Sequence, residues 1–331
     1  MARPILRAAP VTRAVFIDTL YQMWHTYAML SIFLLLLPLF SIIGIGYLAG
    51  RTKIADATWV KVLNLFGYYI AFPALIYNGI ASADISFEVY GRLIIVYALF
   101  AIGLIAVTWF ITKQMGLSRE LQNTFTVGIF FANTAYIGLP AIDIVFGSEA
   151  AGEGAVIVAI MVLVVFTLGV GILEASKKAG VDWKAVSTDV VKNPLLWAAV
   201  IGTLISVTGI SLYEPIQKLI DFLAAAASPA VLVALGVFMA LNHPKRSTIK
   251  VAGIFTGIKM VLIPAVFTLI LWLHPNGDWL DVFYIQAGMP LAITMFALSE
   301  IYPMDKGVVS STIVFSTLAS IFIVPLTMWL S

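Results

Sequence analysis

The segment FFANTAYIGLP, residues 130–140, places an amide, a hydroxyl, a glycine and a proline inside an apolar run. The side chains of Asn133 and Thr134 can donate hydrogen bonds to an anion or to a carbonyl oxygen. Gly138 and Pro140 disfavour a regular helix, because glycine is flexible and proline has no N–H group. Asn133 therefore either binds a ligand or satisfies the backbone groups that the interruption frees.

A second segment has the same chemistry, with Gln286, Gly288, Pro290 and Thr294 in close succession. Gln286 either binds a ligand or caps a helix. Since proline is favoured at the first position of a helix, Pro140 and Pro290 are predicted to begin half-helices, with a simple kink as the alternative. Each helix start would present unpaired N–H groups and a partial positive charge. Two such ends close together predict a site for an anion, most simply a carboxylate.

The composition predicts that these segments lie in a membrane. Of 331 residues, 61% are hydrophobic and 11% are charged, and the mean hydropathy is +1.03. A helix of about 20 apolar residues crosses a hydrocarbon core. Ten runs of this kind predict an all-α protein with ten transmembrane helices. The predicted spans are residues 29–49, 58–82, 88–112, 122–146, 152–175, 194–212, 219–241, 249–273, 280–302 and 308–330.

The basic residues predict the orientation of these spans. Loops on one side hold thirteen Lys and Arg residues, and loops on the other hold Arg92 and Lys218. The thirteen are Arg51, Lys53, Lys61, Lys113, Arg119, Lys177, Lys178, Lys184, Lys192, Lys245, Arg246, Lys250 and Lys306. Cytoplasmic loops are enriched in basic residues, so both ends of the ten-span core are predicted outside, and the short loop 176–193 in the cytoplasm.

The leader, residues 1–28, does not fit this orientation, because Arg3, Arg7 and Arg13 would lie on the outer side. Three interpretations stay open. The leader is an interfacial helix with its basic face on the headgroups, a dispensable extension before Met29, or an eleventh span.

The proline positions predict an internal repeat. Pro73 in span two and Pro229 in span seven are 156 residues apart, and Pro140 and Pro290 are 150 apart. Residues 29–175 and 194–331 would each hold five spans, and an odd number inverts the second copy. Inverted repeats with interrupted helices are typical of secondary transporters that bind their substrate near the membrane midplane. Pro73 and Pro229 either mark kinks or lie at the margin of that pocket.

Four segments carry a family resemblance: FFANTAYIGLP (130–140), KNPLLWAAVIG (192–202), SPAVLVALGVF (228–238) and QAGMPLAITMFALSEIY (286–302). In this order they resemble the auxin efflux carrier family in its bacterial form, from Met29 to Ser331. The resemblance implies inverted repeats whose broken helices, four and nine, cross inside a transport unit that moves against a scaffold. The same architecture occurs in bile-acid symporters and sodium/proton antiporters.

The resemblance also implies the substrates. Plant members export the indole carboxylate auxin, and bacterial members are associated with malate and malonate. Members often have an asparagine shortly after the second proline, where this chain has Ile293 and Thr294. Thr294 can still donate one hydrogen bond.

Further polar residues fall within the predicted spans, where such groups are costly and often functional. Lys259 in span eight either contributes to the anion's electrostatic environment, or titrates in coupling, or neutralises the negative ends of the half-helices. Asp143 either binds a cation or proton or lies at the outer interface. Tyr77 and Asn78 are predicted at the pocket margin, beside Pro73.

Other function classes find little support. The chain has no cysteine, and the three histidines lie at span ends, so neither an enzyme nor a metal site nor a cofactor is predicted. The basic residues are dispersed over membrane loops, which does not favour nucleic-acid binding.

The prediction is therefore a multi-pass transporter of the bacterial inner membrane that exports a small carboxylate by alternating access. Coupling to protons or sodium and a homodimer in the bilayer remain open. The alternatives are a sodium-coupled symporter of the bile-acid type and a membrane sensor that binds an anion without transport.

Overall fold

The computed structural model describes residues 10–82, 87–176, 183–273 and 280–330. Within these ranges the regular secondary structure is helical, and no strand is present beyond one isolated bridge. The helices are α1 (Pro10–Arg51), α2 (Ala57–Ala81), α3 (Phe87–Gln114), α4 (Arg119–Gly128), α5 (Thr134–Phe146), α6 (148–175), α7 (Trp183–Val191), α8 (Pro194–Thr208), α9 (Glu214–Leu241), α10 (246–273), α11 (Leu280–Ala287), α12 (Thr294–Ile301) and α13 (Lys306–Leu330).

Seven of the described helices are long and apolar enough to cross a membrane. They contain predicted spans one, two, three, five, seven, eight and ten. The other three predicted spans are not long single helices. Span six is the shorter helix α8, span four is divided into α4 and α5, and span nine into α11 and α12. The fold is therefore that of an all-α, multi-pass membrane protein.

Three of the helices widen into a π-helical turn just before a proline. The turns Gly67–Ala71, Thr134–Gly138 and Ile258–Leu262 each end two residues before a proline, namely Pro73, Pro140 and Pro264. The proline ring clashes with the carbonyl group of the preceding turn, and proline has no N–H group to donate a hydrogen bond to it. A π turn, with its i→i+5 hydrogen bonds, provides new partners for the displaced backbone groups, which lipid could not supply.

Helices α1, α2, α8 and α9 pack together as a first group. Helices α1 and α9 approach closely where Gly46 lies against the backbone of Val233, and Gly236 lies against Ile43. Helices α2 and α9 are joined by polar side chains, because Asn78 donates to Asp221 at 2.9 Å and accepts from Gln217 at 2.9 Å.

Helices α3 to α6 and α10 to α13 form a second group, tied together at one end by hydrogen bonds. Asn123 of α4 donates to Ser176, just after α6, and to the carbonyl oxygen of Pro303, before α13, both at 2.9 Å. The hydroxyl of Thr124 accepts from the backbone N–H of Asp305 at 3.0 Å. These bonds join the two halves of the sequence.

Two connecting regions bear on the predicted domains. The backbone of α1 is continuous from Pro10 into the first span, so part of the leader is helical. Residues 1–9 and the side chains before Met29 lie outside the described part, and the interfacial role stays a prediction. The predicted loop 176–193 contains α7, with residues 177–182 outside the described part.

The close approach of α1 and α9 predicts that Gly46→Val destabilises the fold. A Cβ atom at residue 46 would overlap the carbonyl group of Val233, whereas one at Gly44 on the same helix meets nothing within 4 Å. Overpacking of this kind costs about 1–3 kcal/mol. Thermal unfolding in detergent should show a lower Tm for Gly46→Val and little change for the control Gly44→Val. Equal effects of both substitutions would contradict a backbone contact at this position.

Candidate functional site at the paired helix breaks

The two helix breaks lie side by side and pair through their backbones. Helix α4 ends at Gly128 and α5 begins at Thr134, while α11 ends at Ala287 and α12 begins at Thr294. Between them, Ala132 and Leu291 form an antiparallel bridge. Since each break leaves backbone groups without helical partners, this pairing replaces the hydrogen bonds that water would otherwise provide.

Two hydrogen bonds hold this pairing, and a third joins it to α13. The N–H of Asn133 donates to the carbonyl oxygen of Pro290 at 2.7 Å, and the N–H of Ala292 donates to Phe131 at 3.2 Å. On the other edge, the N–H of Leu291 donates to the hydroxyl of Ser316 on α13 at 3.1 Å. The breaks are thus fixed to each other and to α13 within the second helix group.

The two half-helices do not begin at the predicted prolines. Thr134 lies six residues before Pro140, and Thr294 lies four residues after Pro290. The helical stretches start at Thr134 and Thr294, so the prediction is wrong for Pro290. Pro140 does lie in the first turn of the regular α-helix Leu139–Phe146, but a π turn precedes that helix. Pro140 follows a π turn inside a continuous helical stretch, because the widened turn accommodates the proline ring. Pro290 lies in the extended segment, where its carbonyl oxygen accepts from Asn133 and its missing N–H is not needed.

The first of two cavities at the breaks contains the start of each half-helix, and we name it the N-terminal pocket. It has a volume of about 450 Å³. Its walls come from both helix groups: Tyr68, Phe131, Ala132, Asn133, Ala135, Tyr136, Met161, Val162, Phe166, Leu195, Ala292 and Thr294. Helix N-termini carry partial positive charge, so this mostly apolar pocket has a potential that suits an anion.

The polar side chains of the N-terminal pocket differ in their hydrogen bonding. Asn133 is buried, and its side-chain Nδ2 has no hydrogen-bond partner in the structure. The hydroxyl of Thr134 donates to the sulfur of Met161 at 3.1 Å, and Thr294 is half-buried on the pocket wall. The ring of Tyr136 stacks on Phe72, with centroids 4.5 Å apart. Asn133 is therefore the side chain in this pocket with a free buried donor.

The second cavity lies across the paired breaks and holds the opposite helix ends; we name it the lysine pocket. Its wall includes Lys259, Gln286, Ala287, Ile129 and Tyr97. The buried ammonium group of Lys259 donates to the carbonyl oxygens of Gly128 at 3.2 Å and of Ile129 at 3.0 Å. These carbonyls end α4, where partial negative charge accumulates. Lys259 thus has the geometry that neutralises a half-helix end.

Gln286 connects the two breaks. It is 1% exposed, and neither its Nε2 nor its Oε1 has a hydrogen-bond partner in the structure. Its amide lies against Gly138 of α5, where an added Cβ atom would stand 2.5 Å from Oε1. Leaving a buried polar group unpaired costs about 1–3 kcal/mol, so an amide with two such atoms is expected to have a partner at some stage of the protein's activity.

The remaining predicted residues lie away from both pockets. Asp143 is exposed on α5. Pro73 and Tyr77 line a separate apolar groove, and Asn78 is bonded to α9. Pro229 lies inside α9. Two further predicted residues have packing contacts: Gly288 faces Thr327 of α13, and Gly138 faces Gln286.

Three residues near the breaks were not predicted: Ser316, Met161 and Tyr97. Ser316 belongs to a row of buried hydroxyls on α13. Their recurrence on one face of a long apolar span was a signal that could have identified Ser316. Met161 and Tyr97 carried no such signal, because apolar and aromatic residues are common in every span.

Comparison with known proteins identifies the family of this chain. Residues 31–329 match the model of a family described as "Membrane transport protein". This chain belongs to that family, the auxin efflux carrier family. It is therefore a membrane transporter, and the family resemblance seen in the four sequence segments is confirmed.

Three relatives illustrate the range of the auxin efflux carrier family. A Rhizobium meliloti (strain 1021) protein named "Putative malonate transporter" is 28% identical over 302 residues, 87% of this chain and 92% of the relative. An "Uncharacterized transporter" of Methanothermobacter thermautotrophicus is 25% identical, over 92% of this chain and 97% of the relative. "Auxin efflux carrier component 3" of Arabidopsis thaliana is 25% identical over 169 residues, 46% of this chain and 26% of the relative.

The position of Lys259 predicts that Lys259→Met destabilises the transporter. The carbonyl oxygens of Gly128 and Ile129 would lose their buried donor, which should cost on the order of 2 kcal/mol. A lower Tm is expected for Lys259→Met, and no change for Lys250→Met, an exposed lysine on the same helix. An unchanged Tm for Lys259→Met would exclude the neutralising role, and full transport by that variant would remove Lys259 from the mechanism.

Proposed function

We propose that this member of the auxin efflux carrier family carries a small organic anion, a carboxylate, out of the cell by alternating access. The observation that carries the proposal is the pairing of two half-helix starts at a pocket beside Asn133, whose buried amide donor is free. A carboxylate accepts several hydrogen bonds at once and is stabilised by helix N-termini. It would bind to the starts of α5 and α12, with Asn133 and Thr294 as directional donors.

The apolar walls of the N-terminal pocket would select the rest of the substrate. Malonate is the first substrate to test, because a relative's name refers to it. Gln286, on the other side of the breaks, would donate to the anion after a small rearrangement past Gly138, since its amide has no other partner.

The proposed movement is that of the second helix group against the first. The proposal treats residues 29–175 and 194–331 as inverted five-helix repeats, so that each repeat contributes one broken helix. The hydrogen bonds of Asn123 and Thr124 support a second group that moves as one body. The close glycine contacts of α1 and α9 support a first group that stays fixed as a scaffold.

The sodium-coupled alternative requires a cation near the paired breaks. The half-helix ends that would attract a cation face Lys259, whose ammonium group already contacts two of their carbonyl oxygens. This contact favours transport without sodium, with protons or the membrane potential as the driving force. The orientation with the loop 176–193 in the bacterial cytoplasm remains part of the proposal.

Charge movement in proteoliposomes tests this function directly. Malonate, malate, succinate and indole-3-acetate would be applied by rapid exchange, each with and without sodium and a pH gradient. We expect a saturating, sodium-independent current for at least one of these acids. A current that requires sodium would support the symporter. If the folded, reconstituted protein binds an acid but shows neither a current nor exchange of the labelled anion, the result would support the anion sensor.

The unpartnered amides predict separate effects on binding and stability. Asn133→Leu and Gln286→Met replace each amide with an apolar side chain of similar length and remove buried donors that lack partners among the described residues, so the Tm should change little. Binding of the transported acid should weaken by about 10-fold to 100-fold, as expected for one lost hydrogen bond to a charged group.

Asn78→Leu is the matched control, because this amide is bonded to Asp221 and Gln217 and lies away from the pockets. It should lower the Tm and leave the Kd unchanged. Isothermal titration and thermal unfolding on the same samples provide both quantities. A large fall in Tm with unaltered Kd for Asn133→Leu and Gln286→Met would assign them to folding instead.

The contact between α2 and α6 predicts a cross-link that stops transport. A Cβ atom at Gly79 would stand 3.1 Å from the Cβ of Ala155, a few tenths of an ångström less than the separation of about 3.5–4.5 Å within a disulfide, so a small shift of the helices would admit the bond. The natural chain has no cysteine, so Gly79→Cys with Ala155→Cys creates a single defined pair. Oxidation should abolish flux, and reduction should restore it. Each single variant should be unaffected by oxidation. Undiminished flux in the fully cross-linked protein would contradict movement between the two groups at this contact.

A further inference from the structure

An apolar groove on the membrane-facing side of the first helix group is separate from both pockets. It lies among α2, α8 and α9 and has a volume of about 990 Å³. Its lining is apolar along most of its length and ends at one basic residue, Lys192. The lining residues are Pro73, Ala74, Tyr77, Lys192, Pro194, Trp197, Ala198, Ile201, Ile205, Leu212 and Ile220.

The shape of the groove follows from the helix that forms one wall. Helix α8 has 15 residues, about 22 Å at 1.5 Å per residue, which is shorter than a hydrocarbon core of about 30 Å. Ala198 of α8 and Ala74 of α2 are buried at the groove and have small side chains. Trp197 and Ile201 stay about half exposed on its rim.

The end of the groove at Lys192 has positive potential. Lys192 is exposed and directly precedes the N-terminus of α8, where the helix dipole adds partial positive charge. The Oδ1 of Asn193 accepts from the N–H of Leu195, and its buried Nδ2 has no hydrogen-bond partner among the described residues. The indole N–H of Trp197 donates to Val191 at 2.6 Å, which fixes this ring beside Lys192.

We propose that the groove binds one phospholipid with an anionic headgroup. The phosphate would contact Lys192 at the start of α8, and an acyl chain would lie along Trp197, Ala198 and Ile201 toward Pro73. A free anion would leave the apolar length of the groove empty. A zwitterionic lipid such as phosphatidylcholine already offsets its phosphate with its own choline cation, so it would gain less from Lys192. Under the predicted orientation the lipid belongs to the cytoplasmic leaflet, which is rich in anionic lipids.

Native mass spectrometry of the purified full chain tests the lipid site. Titration with phosphatidylglycerol and with phosphatidylcholine should show tighter binding of the anionic lipid. Lys192→Gln should weaken phosphatidylglycerol binding about fivefold, the loss expected for one basic residue near an anionic surface, and leave phosphatidylcholine unchanged. The control Lys250→Gln, an exposed lysine outside the groove, should have no effect.

A second variant tests the apolar part of the groove. Ala198→Phe should fill the floor of the groove and lower the affinity for both lipids. The control Gly253→Phe adds the same ring where an added Cβ meets no described atom within 4 Å, and it should leave both affinities unchanged. The Tm of each variant establishes that it folds. Equal affinity of the wild type for the two lipids, or an unchanged preference in Lys192→Gln, would overturn the proposal.

Two further outcomes would also overturn it. If inorganic phosphate raises the Tm as much as phosphatidylglycerol does, the site binds the headgroup alone. If the protein is a dimer and Ala198→Phe dissociates it without changing the bound lipid, a second copy of the chain covers the groove. The lipid site does not depend on the transport proposal, so either can fail while the other stands.

Discussion

The backbone pairing of residues 131–133 with 290–292 is the interaction on which the rest of the site depends. A membrane helix that stops midway leaves N–H and C=O groups in a medium without water, and each unpaired group costs several kcal/mol. Here the two interruptions supply partners to each other, through the N–H of Asn133 and the N–H of Ala292. Neither break could exist alone at this depth. Two distant parts of the sequence therefore have to fold against each other before either half-helix is stable.

This pairing divides the protein electrostatically. Helix starts face the N-terminal pocket, and the ends of α4 and α11 face the lysine pocket. The protein supplies its own cation on the second side, at Lys259, and leaves the first side with free donors. A fixed positive charge at the helix ends and a positive potential at the helix starts support the proposal of an anionic substrate.

Much of the fold followed from sequence because long apolar runs have few alternatives in lipid. The apolar runs predicted ten spans, of which seven are long single helices, and two prolines with neighbouring polar residues indicated which spans are interrupted. The position of each interruption did not follow. Proline marks a helix start in water-soluble proteins, but at Pro140 a π turn absorbed it, and the break moved to residues 129–133. The contact of Lys259 with α4 was one of three interpretations, and it depends on how α10 packs on α4, which the sequence does not reveal. Ser316 was missed because its role depends on that same tertiary contact.

The π turns before Pro73, Pro140 and Pro264 have a consequence for how these helices could have arisen. A π turn contains one residue more than an α-helical turn, and each residue of an α-helix rotates the side-chain direction by about 100°. A one-residue insertion in a membrane helix would turn every later side chain to a different neighbour, unless the extra residue is confined to one wide turn. The turns before Pro73 and Pro264, which lie inside helices, are what such insertions would leave behind, with the faces on either side still in register; the turn before Pro140 begins α5 and has no helix before it. Loss of one residue within such a turn would then disturb the packing less than loss of one residue elsewhere in the same helix. These turns are therefore places where the length of the chain can change without altering which surfaces meet.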